Sequence, residues 1–178
     1  MLGSGSVGYC DRNRCNIAKA FGSEVSHPNG LIYHDGLVYV AATVRGGIRV
    51  LKFSEQQPPS LEEVDVIKVP FPIDNLSIDK NGDIFAATFP KLHIMMKSFD
   101  DPYSVKPPSA VFKIIKPSKS IKYQGKESTG SDGYQIVKVM EDDGNILGGS
   151  TVAVHDTESG RIFLGGVASP QIAICETR

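Results

Sequence analysis

The sequence lacks several features that would place it in a common class. Lys plus Arg number 19 and Asp plus Glu number 20 in 178 residues, so the formal net charge is −1. That balance provides no strong field to attract nucleic acid or an anionic membrane. No stretch approaches the ~18–20 apolar residues of a membrane-spanning helix. The N-terminal segment has neither a basic start nor an apolar core, so it predicts no signal peptide and leaves the cellular location open. Tryptophan is absent.

Cysteine is scarce as well. Three cysteines are present, and an odd number argues against a self-contained disulfide framework. We expect free thiols. The alternative is a bridge between Cys10 and Cys15 across a hairpin, because the intervening DRNR is typical of a turn. Zinc is not expected, since no CxxC motif or paired histidine lies near these cysteines.

What the sequence does contain is an internal repeat. The segment 29–43 matches 75–88 at a spacing of 46 residues, and 151–166 is a third copy with a turn two residues longer. Each copy has an alternating strand, a turn built on HDG, KNG or TESG, and a second, more apolar strand, which is the pattern of a β-hairpin. A third strand follows each copy: GIRVLKF, HIMMKSF or QIAICE. A further apolar run lies between copies.

Four strands in about 40–45 residues is the size of one propeller blade. The sequence therefore predicts an all-β fold, a partial β-propeller of three to four blades of four antiparallel strands, as a single unit over 1–178. The extra length before the third copy, about 116–133, is rich in Lys, Ser and Gly. It predicts a solvated loop rather than a nucleic-acid patch, because aromatic residues are nearly absent from it.

An arc of three to four blades leaves one blade face bare at each end. A ring needs four to eight blades, and the apolar area of a bare face is costly to expose. We therefore expect this chain to need further blades. They would come from an upstream half, with Met1 an internal methionine or the start of a truncated gene model, or from self-association.

The first strand of each blade lines the central tunnel of a propeller, so the residues that open these strands converge on its axis. Here they are Asn29, the pair Asp74 and Asn75, and the pair Ser150 and Thr151. Hard oxygen donors from several directions suit Ca²⁺, which takes 6–8 ligands. Asn29, Asp74 and Asn75 are therefore candidate calcium ligands, with turn and loop-capping roles as the alternatives. Because they bring at most one negative charge, we expect only a half-site.

Other patterns in the chain resemble functional motifs but do not predict the corresponding function. The GxGxxG match at 3–8 has no strand before it and no helix after it, so it does not predict dinucleotide binding. The segment 79–83 resembles the start of an EF-hand but lacks its later glycine and glutamate, which predicts a hairpin turn. The four histidines form no metal or triad spacing, and we expect His34 and His155 to be solvated.

Four runs of the chain, 27–53, 73–90, 101–114 and 149–176, resemble the C-terminal half of the paraoxonase/arylesterase family. The resemblance implies a six-bladed, calcium-dependent propeller that hydrolyses lactones, aryl esters and some organophosphates. It also implies that Asn29, Asp74 and Asn75 are ligands of the catalytic calcium, which polarises the substrate oxygen and stabilises the oxyanion as water attacks. The implied substrate is a small ester or lactone, and full-length relatives are often secreted or membrane-associated.

The resemblance also identifies what this chain lacks. The family's acidic ligands, a further Asn ligand and its general-base histidines lie upstream, so no catalytic residue is identified here and we expect the isolated chain to be inactive. Phe89 stands where the family often has a pocket-wall His. Cys175 matches a cysteine that the family pairs with one near its N-terminus, a partner absent here. The alternative function is a non-catalytic propeller segment, either a binding or scaffold module or a degenerate product.

Overall fold

The protein is represented by a computed structural model that describes residues 4–10, 12–13, 15–21, 25–44, 46–54, 60–116 and 133–176. The elements in these ranges are, in chain order, β1 (Ser4–Gly5), β2 (Val7–Cys10), β3 (Cys15–Phe21), β4 (Val25–Ser26), β5 (Pro28–His34), β6 (Leu37–Ala42), β7 (Ile48–Ser54), β8 (Ser60–Ile67), β9 (Ile73–Ile78), β10 (Ile84–Thr88), α1 (Leu92–Ser98), β11 (Ser109–Ile115), β12 (Gln135–Asp142), β13 (Ser150–Asp156), β14 (Arg161–Gly166) and β15 (Ala173–Glu176). Within these ranges the fold is all-β apart from one short helix.

The strands form three consecutive sheets, the blades of a partial β-propeller. Sheet 1 has the order β2-β3-β8-β7-β6-β5, sheet 2 the order β12-β11-β10-β9, and sheet 3 the order β13-β14-β15. The strands β1 and β4 form a separate two-stranded ladder. Pairing is antiparallel except between β3 and β8. The blades are thus unequal: sheet 1 gains two N-terminal strands, and sheet 3 has three strands in the described part of the chain.

The turns within the repeats form the predicted hairpins. Gly36, Gly82 and Gly160 have φ values of 77°, 82° and 66°, a left-handed conformation that glycine adopts without steric cost. Each closes the hairpin between the first two strands of its repeat, β5–β6, β9–β10 or β13–β14. In the second hairpin, Asp79 Oδ1 accepts the backbone N–H groups of Asn81 and Asp83, so this segment is a turn and not a calcium loop.

One strand prediction is wrong. The segment HIMMKSF does not continue the second blade, because Leu92–Ser98 forms the helix α1. The apolar residues of this segment fit the spacing of a helix as well as that of a strand. In the helix, Met95 and Ser98, three residues apart, are buried, and Met96 is exposed. The third and fourth strands of sheet 2 are β11 and β12. The extra length of this blade therefore lies partly in α1, and the predicted loop at 116–133 falls almost wholly outside the described residues.

The core lies between the sheets. One cluster joins sheets 1 and 2 around Tyr39, Ile48 and Phe112, and a second joins sheets 2 and 3 around Phe85 and Leu164. The strands β6 and β10 are buried on both faces. Sheet 2, which contains β10, lies between the other two sheets, whereas the outer face of β6 is covered by a third cluster around Val40 and Leu51, against which Val7 and Phe53 pack. This burial accounts for the more apolar second strand of the repeat.

The outermost faces are not covered in the same way. On β14 one side of the strand packs into the second cluster, but Phe163 points to the opposite face. Val154, Phe163 and Ile174 pair in register across β13, β14 and β15 and form an exposed apolar row, with Ile174 60% exposed. At the other end of the arc, Tyr33 on β5 is 66% exposed. Both ends of the arc therefore present apolar side chains to solvent.

The cysteines differ in part from expectation. Cys10 and Cys15 form a disulfide, as direct partners at the end of the β2–β3 hairpin. The expectation of free thiols is therefore wrong for this pair, because the turn between them brings opposite residues of two antiparallel strands together. Cys175 on β15 is a free thiol, and it packs against the cluster between sheets 2 and 3. No helix in the described ranges is long and apolar enough to cross a membrane.

Candidate metal centre

The candidate centre lies where the first strands of the three repeats, β5, β9 and β13, meet. The strand β9 lies against both β5 and β13, although the three strands belong to different sheets. The contact with β5 is very close. A Cβ atom added to Gly30 would stand 2.5 Å from Asn75 Cα and 2.6 Å from Leu76 N. Any side chain at position 30 would push the strands apart, so glycine is needed for this approach.

Each of the three first strands has an irregularity at the predicted ligand position. In the β5–β6 ladder the register shifts between Pro28 and Leu31, around Asn29. In β9–β10 it shifts opposite Asp74 and Asn75, which lie between the paired residues Ile73 and Leu76. In β13–β14 it shifts at Thr151.

These irregularities explain how neighbouring residues can act together. Successive side chains of a regular strand point to opposite faces, which would separate Asp74 from Asn75. A β-bulge inserts an extra residue and re-aims side chains locally, and such bulges are frequent beside active sites. Three equivalent bulges therefore place the opening residues of three strands toward one region.

The three predicted ligands are in fact joined by hydrogen bonds. The Asp74 carboxylate accepts a hydrogen bond from the Asn29 side chain and another from Asn75 Nδ2 at 3.3 Å. Asn29 is exposed, whereas Asp74 and Asn75 are half-buried. The centre therefore combines one carboxylate with two amides.

The carboxylate is electrostatically unsatisfied. Burial raises the pKa of Asp74 above its ordinary value, and the hydrogen bond from Asn29 opposes this shift without cancelling it. A raised pKa means that the charged form loses solvation that its neighbours do not replace. A cation beside Asp74 would supply the missing compensation.

The amide of Asn75 is held in one orientation. Its Nδ2 donates to the Thr151 carbonyl oxygen at 2.9 Å and to Asp74. Both neighbours are acceptors only, so the NH₂ group must face them and Oδ1 is left as an oxygen donor. Hard oxygen atoms of this kind, together with a carboxylate, are what Ca²⁺ prefers.

The other residues singled out in the sequence have different roles. The hydroxyl of Ser150 is buried and bonds the carbonyls of Val152 and Gly165, and the Thr151 hydroxyl also bonds Gly165. These two residues thus brace the bulge of β13 internally. Phe89 is only 4% exposed, and its backbone N–H donates to the carbonyl of Pro72, two residues before Asp74.

A regular set of side-chain bonds connects β9 to β13, and we call it the inner-strand ladder. Asn75 bonds the Thr151 carbonyl, Ser77 Oγ donates to the Ala153 carbonyl at 2.6 Å, and Asp79 Oδ2 lies 2.8 Å from His155 Nδ1. Each rung joins positions 76 residues apart. The ladder starts at the candidate centre and ends at the hairpin turns.

The last rung corrects one expectation. His155 is not solvated: its side chain is 12% exposed, its partner Asp79 is fully buried, and its ring stacks on Phe85 with centroids 4.8 Å apart. His34 does keep much of its exposure, at 37%, beside Asp35. A burial of this kind depends on the neighbouring blade, which a single repeat does not reveal.

Sequence reasoning missed Gly30, Ser77 and the pair of Asp79 with His155. A signal for the ladder was present, because the equivalence of Asn75 with Thr151 also aligns 77 with 153 and 79 with 155. Equivalent positions on adjacent first strands lie side by side. No sequence signal marks Gly30 as a contact of Asn75 rather than a turn residue.

Among the described residues, no three or more His, Cys, Asp or Glu side chains lie together so that they could hold a metal ion. The candidate centre is therefore distinguished by its amides. The chain matches the family model described as Arylesterase over residues 5–176. No curated protein matches it. The family is generally calcium-dependent. Because the match covers nearly the whole chain and the blades agree with it, this chain belongs to the arylesterase (paraoxonase) family of hydrolases.

Proposed function

We propose that this chain is the C-terminal half of a calcium-dependent arylesterase or lactonase. Its Asn29, Asp74 and Asn75 would hold one side of the catalytic calcium. The observation that carries the proposal is the hydrogen-bonded cluster of these three side chains around a partly buried carboxylate of raised pKa. Membership of the arylesterase family supports the reaction class.

The chemistry of the donor set fits calcium. Asp74 supplies the negative charge, and the Asn75 oxygen is left for coordination because both hydrogen bonds use its nitrogen. When bound, calcium supplies Lewis-acid polarisation of the ester or lactone carbonyl. The task of this chain is to fix the donors in advance, which avoids reorganisation during the reaction. Gly30 and the inner-strand ladder do so from the two sides of β9.

The remaining ligands would come from outside this half. One carboxylate and two amides fall short of the 6–8 ligands that Ca²⁺ takes. The exposed apolar side chains of sheet 3 support this proposal, because the row of Val154, Phe163 and Ile174 resembles a blade face without a neighbour. Upstream blades or a second copy of the chain would cover them, and the isolated chain would be inactive.

The test is complementation. The chain is mixed with, or fused to, the upstream half of an arylesterase, and hydrolysis of phenyl acetate and of a lactone is measured with and without a calcium chelator. We expect activity that chelation abolishes and that Asn75→Ala reduces at least tenfold. Activity that survives both chelation and Asn75→Ala would remove the assignment. The matched control is Asn145→Ala, an exposed asparagine bonded to Asp143.

A non-catalytic segment remains the second candidate. The observation in its favour is that Phe89, at a position where relatives often have a polar histidine, is buried and offers no proton-transfer group. Calorimetry of the complemented protein separates the two proposals. Calcium binding without any ester or lactone hydrolysis would favour a binding or scaffold role over a catalytic one.

A further inference from the structure

We propose that Ser77 is a positioning residue for Asn75, acting through the inner-strand ladder. This inference rests on the proposed role of Asn75 as a calcium ligand. Ser77 itself lies two residues further along β9 and touches β13 through its hydroxyl, which donates to the Ala153 carbonyl at 2.6 Å. It is a positioning residue because it acts on the centre only through β13.

No backbone ladder joins β9 to β13. The two strands belong to different sheets, so their separation is set by side-chain bonds and packing. The side chain of serine is one carbon long, and its bond to a carbonyl therefore fixes the distance between the two backbones at this point. Ser77 is the middle rung, with Asn75 on one side and Asp79 on the other.

The Thr151 carbonyl receives the Asn75 amide. Thr151 lies at the bulge of β13, where the pairing with β14 shifts register. The backbone ladder with β14 is interrupted there, and the hydroxyls of Ser150 and Thr151 bond the Gly165 carbonyl of β14 in its place. Apart from the Asn75 bond itself, the nearest side-chain bond from β9 that restrains the Thr151 backbone is the bond of Ser77 to the Ala153 carbonyl, two residues further along β13.

The orientation of the Asn75 amide therefore depends on the Ser77 hydroxyl. With the Ser77 hydroxyl in place, the Thr151 carbonyl stays within reach of Asn75 Nδ2, and Oδ1 remains turned away from β13. Without the hydroxyl, the strands separate locally and the amide of Asn75 can rotate. Coordination by Oδ1 would then require the amide to be ordered again on binding, which weakens the site.

The experiment has two readouts. Side-chain amide exchange of Asn75 is measured by NMR in the 178-residue chain without metal, and the midpoint of a Ca²⁺ titration is measured by the same signal in the chain complemented with an upstream arylesterase half. For Ser77→Ala we expect the Asn75 amide to exchange about fivefold faster and the calcium midpoint to rise about fivefold, as for the loss of one hydrogen bond. Ser77→Thr, which keeps the hydroxyl, should restore both.

The control is Ser98→Ala, which removes another buried hydroxyl bonded to a carbonyl, that of Met95 in α1. It should change neither readout, and the Asn145 amide serves as an internal reference. An Asn75 exchange rate that is the same in Ser77→Ala and the unmodified chain overturns the inference. Failure of the unmodified chain and its complemented form to bind Ca²⁺ overturns the proposed function instead, because the exchange readout needs no metal.

Discussion

Gly30 lies directly on the backbone of Asn75, so close that a Cβ atom at position 30 would meet Asn75 Cα at 2.5 Å. This contact brings β5 against β9 and places Asn29 beside Asp74. The candidate centre thus depends on the absence of a side chain as much as on the three donors. A substitution at Gly30 should therefore weaken calcium binding although it changes none of the three proposed ligands.

Gly30→Ala should separate β5 from β9, because the atoms it would strike are backbone atoms that cannot move aside cheaply. We expect a loss of about 1–3 kcal/mol in the free energy of unfolding, as for other overpacked sites. Calcium affinity should fall as well, since Asn29 would move away from Asp74. Urea unfolding and a calcium titration measure the two effects.

The matched control is Gly148→Ala. Its added Cβ would lie 3.4 Å from Pro107 Cδ, which is an ordinary contact. Equal effects of the two substitutions on calcium affinity would show that the β5–β9 approach does not position Asn29.

Asp74→Asn should stabilise the metal-free chain at neutral pH. Burial raises the pKa of Asp74, so the folded state holds its proton more tightly than the unfolded state. The stability from this group is fully present below the ordinary aspartate pKa and is lost as pH rises through the folded pKa. The gain from Asp74→Asn should therefore appear at pH 7 and vanish near pH 3, as measured by urea unfolding with chelator present.

The same substitution should abolish calcium binding, because it removes the only carboxylate among the three donors. In the unmodified chain, calcium affinity should fall as pH drops through the pKa of Asp74. Asp100→Asn, at an exposed carboxylate, is the control. A pH-independent effect of Asp74→Asn on stability would contradict the burial argument.

His155→Ala should destabilise the chain by about 1–3 kcal/mol, because the fully buried Asp79 carboxylate loses a hydrogen-bond partner. The ring stacked on Phe85 is lost at the same time. Thermal or urea unfolding measures this change.

Glu158→Ala is its control, in the same pair of hairpins. It removes the ion pair between Lys80 and Glu158, whose side chains are both largely exposed, and exposed pairs contribute little. A destabilisation by Glu158→Ala as large as that by His155→Ala would mean that the buried contact of Asp79 with His155 contributes no more stability than an exposed ion pair.

Phe163→Glu should prevent complementation by an upstream propeller half. Phe163 is the centre of the exposed apolar row on sheet 3, and a charge there would have to be buried without a partner when another blade docks. Activity recovered on mixing the halves should fall at least tenfold, while the circular dichroism of the isolated chain stays unchanged.

Met96→Glu alters an exposed apolar residue on α1 and should complement normally. If Phe163→Glu also complemented normally, the face of sheet 3 would not be a blade-to-blade contact.

The hairpins follow from the amino-acid sequence alone. Glycines at 36, 82 and 160 follow polar turn residues between alternating strands, and local turn chemistry fixes such structure without help from distant residues. The sequence also pointed to Asn29, Asp74 and Asn75, because each opens a repeat. Local pattern failed at 92–98, where the same apolar residues satisfy a helix and a strand, and packing against the rest of the chain selected the helix.

The way in which the repeats meet depends on contacts between residues that are far apart in the sequence. The contact of Gly30 with Asn75, the bond of Asn75 to the Thr151 carbonyl and the contact of His155 with Asp79 all join residues from different blades. Such contacts depend on the distance between sheets, which is set by side-chain packing over the whole arc and leaves no mark in a single repeat. Local sequence therefore determines the blade, and the packing between blades determines the centre.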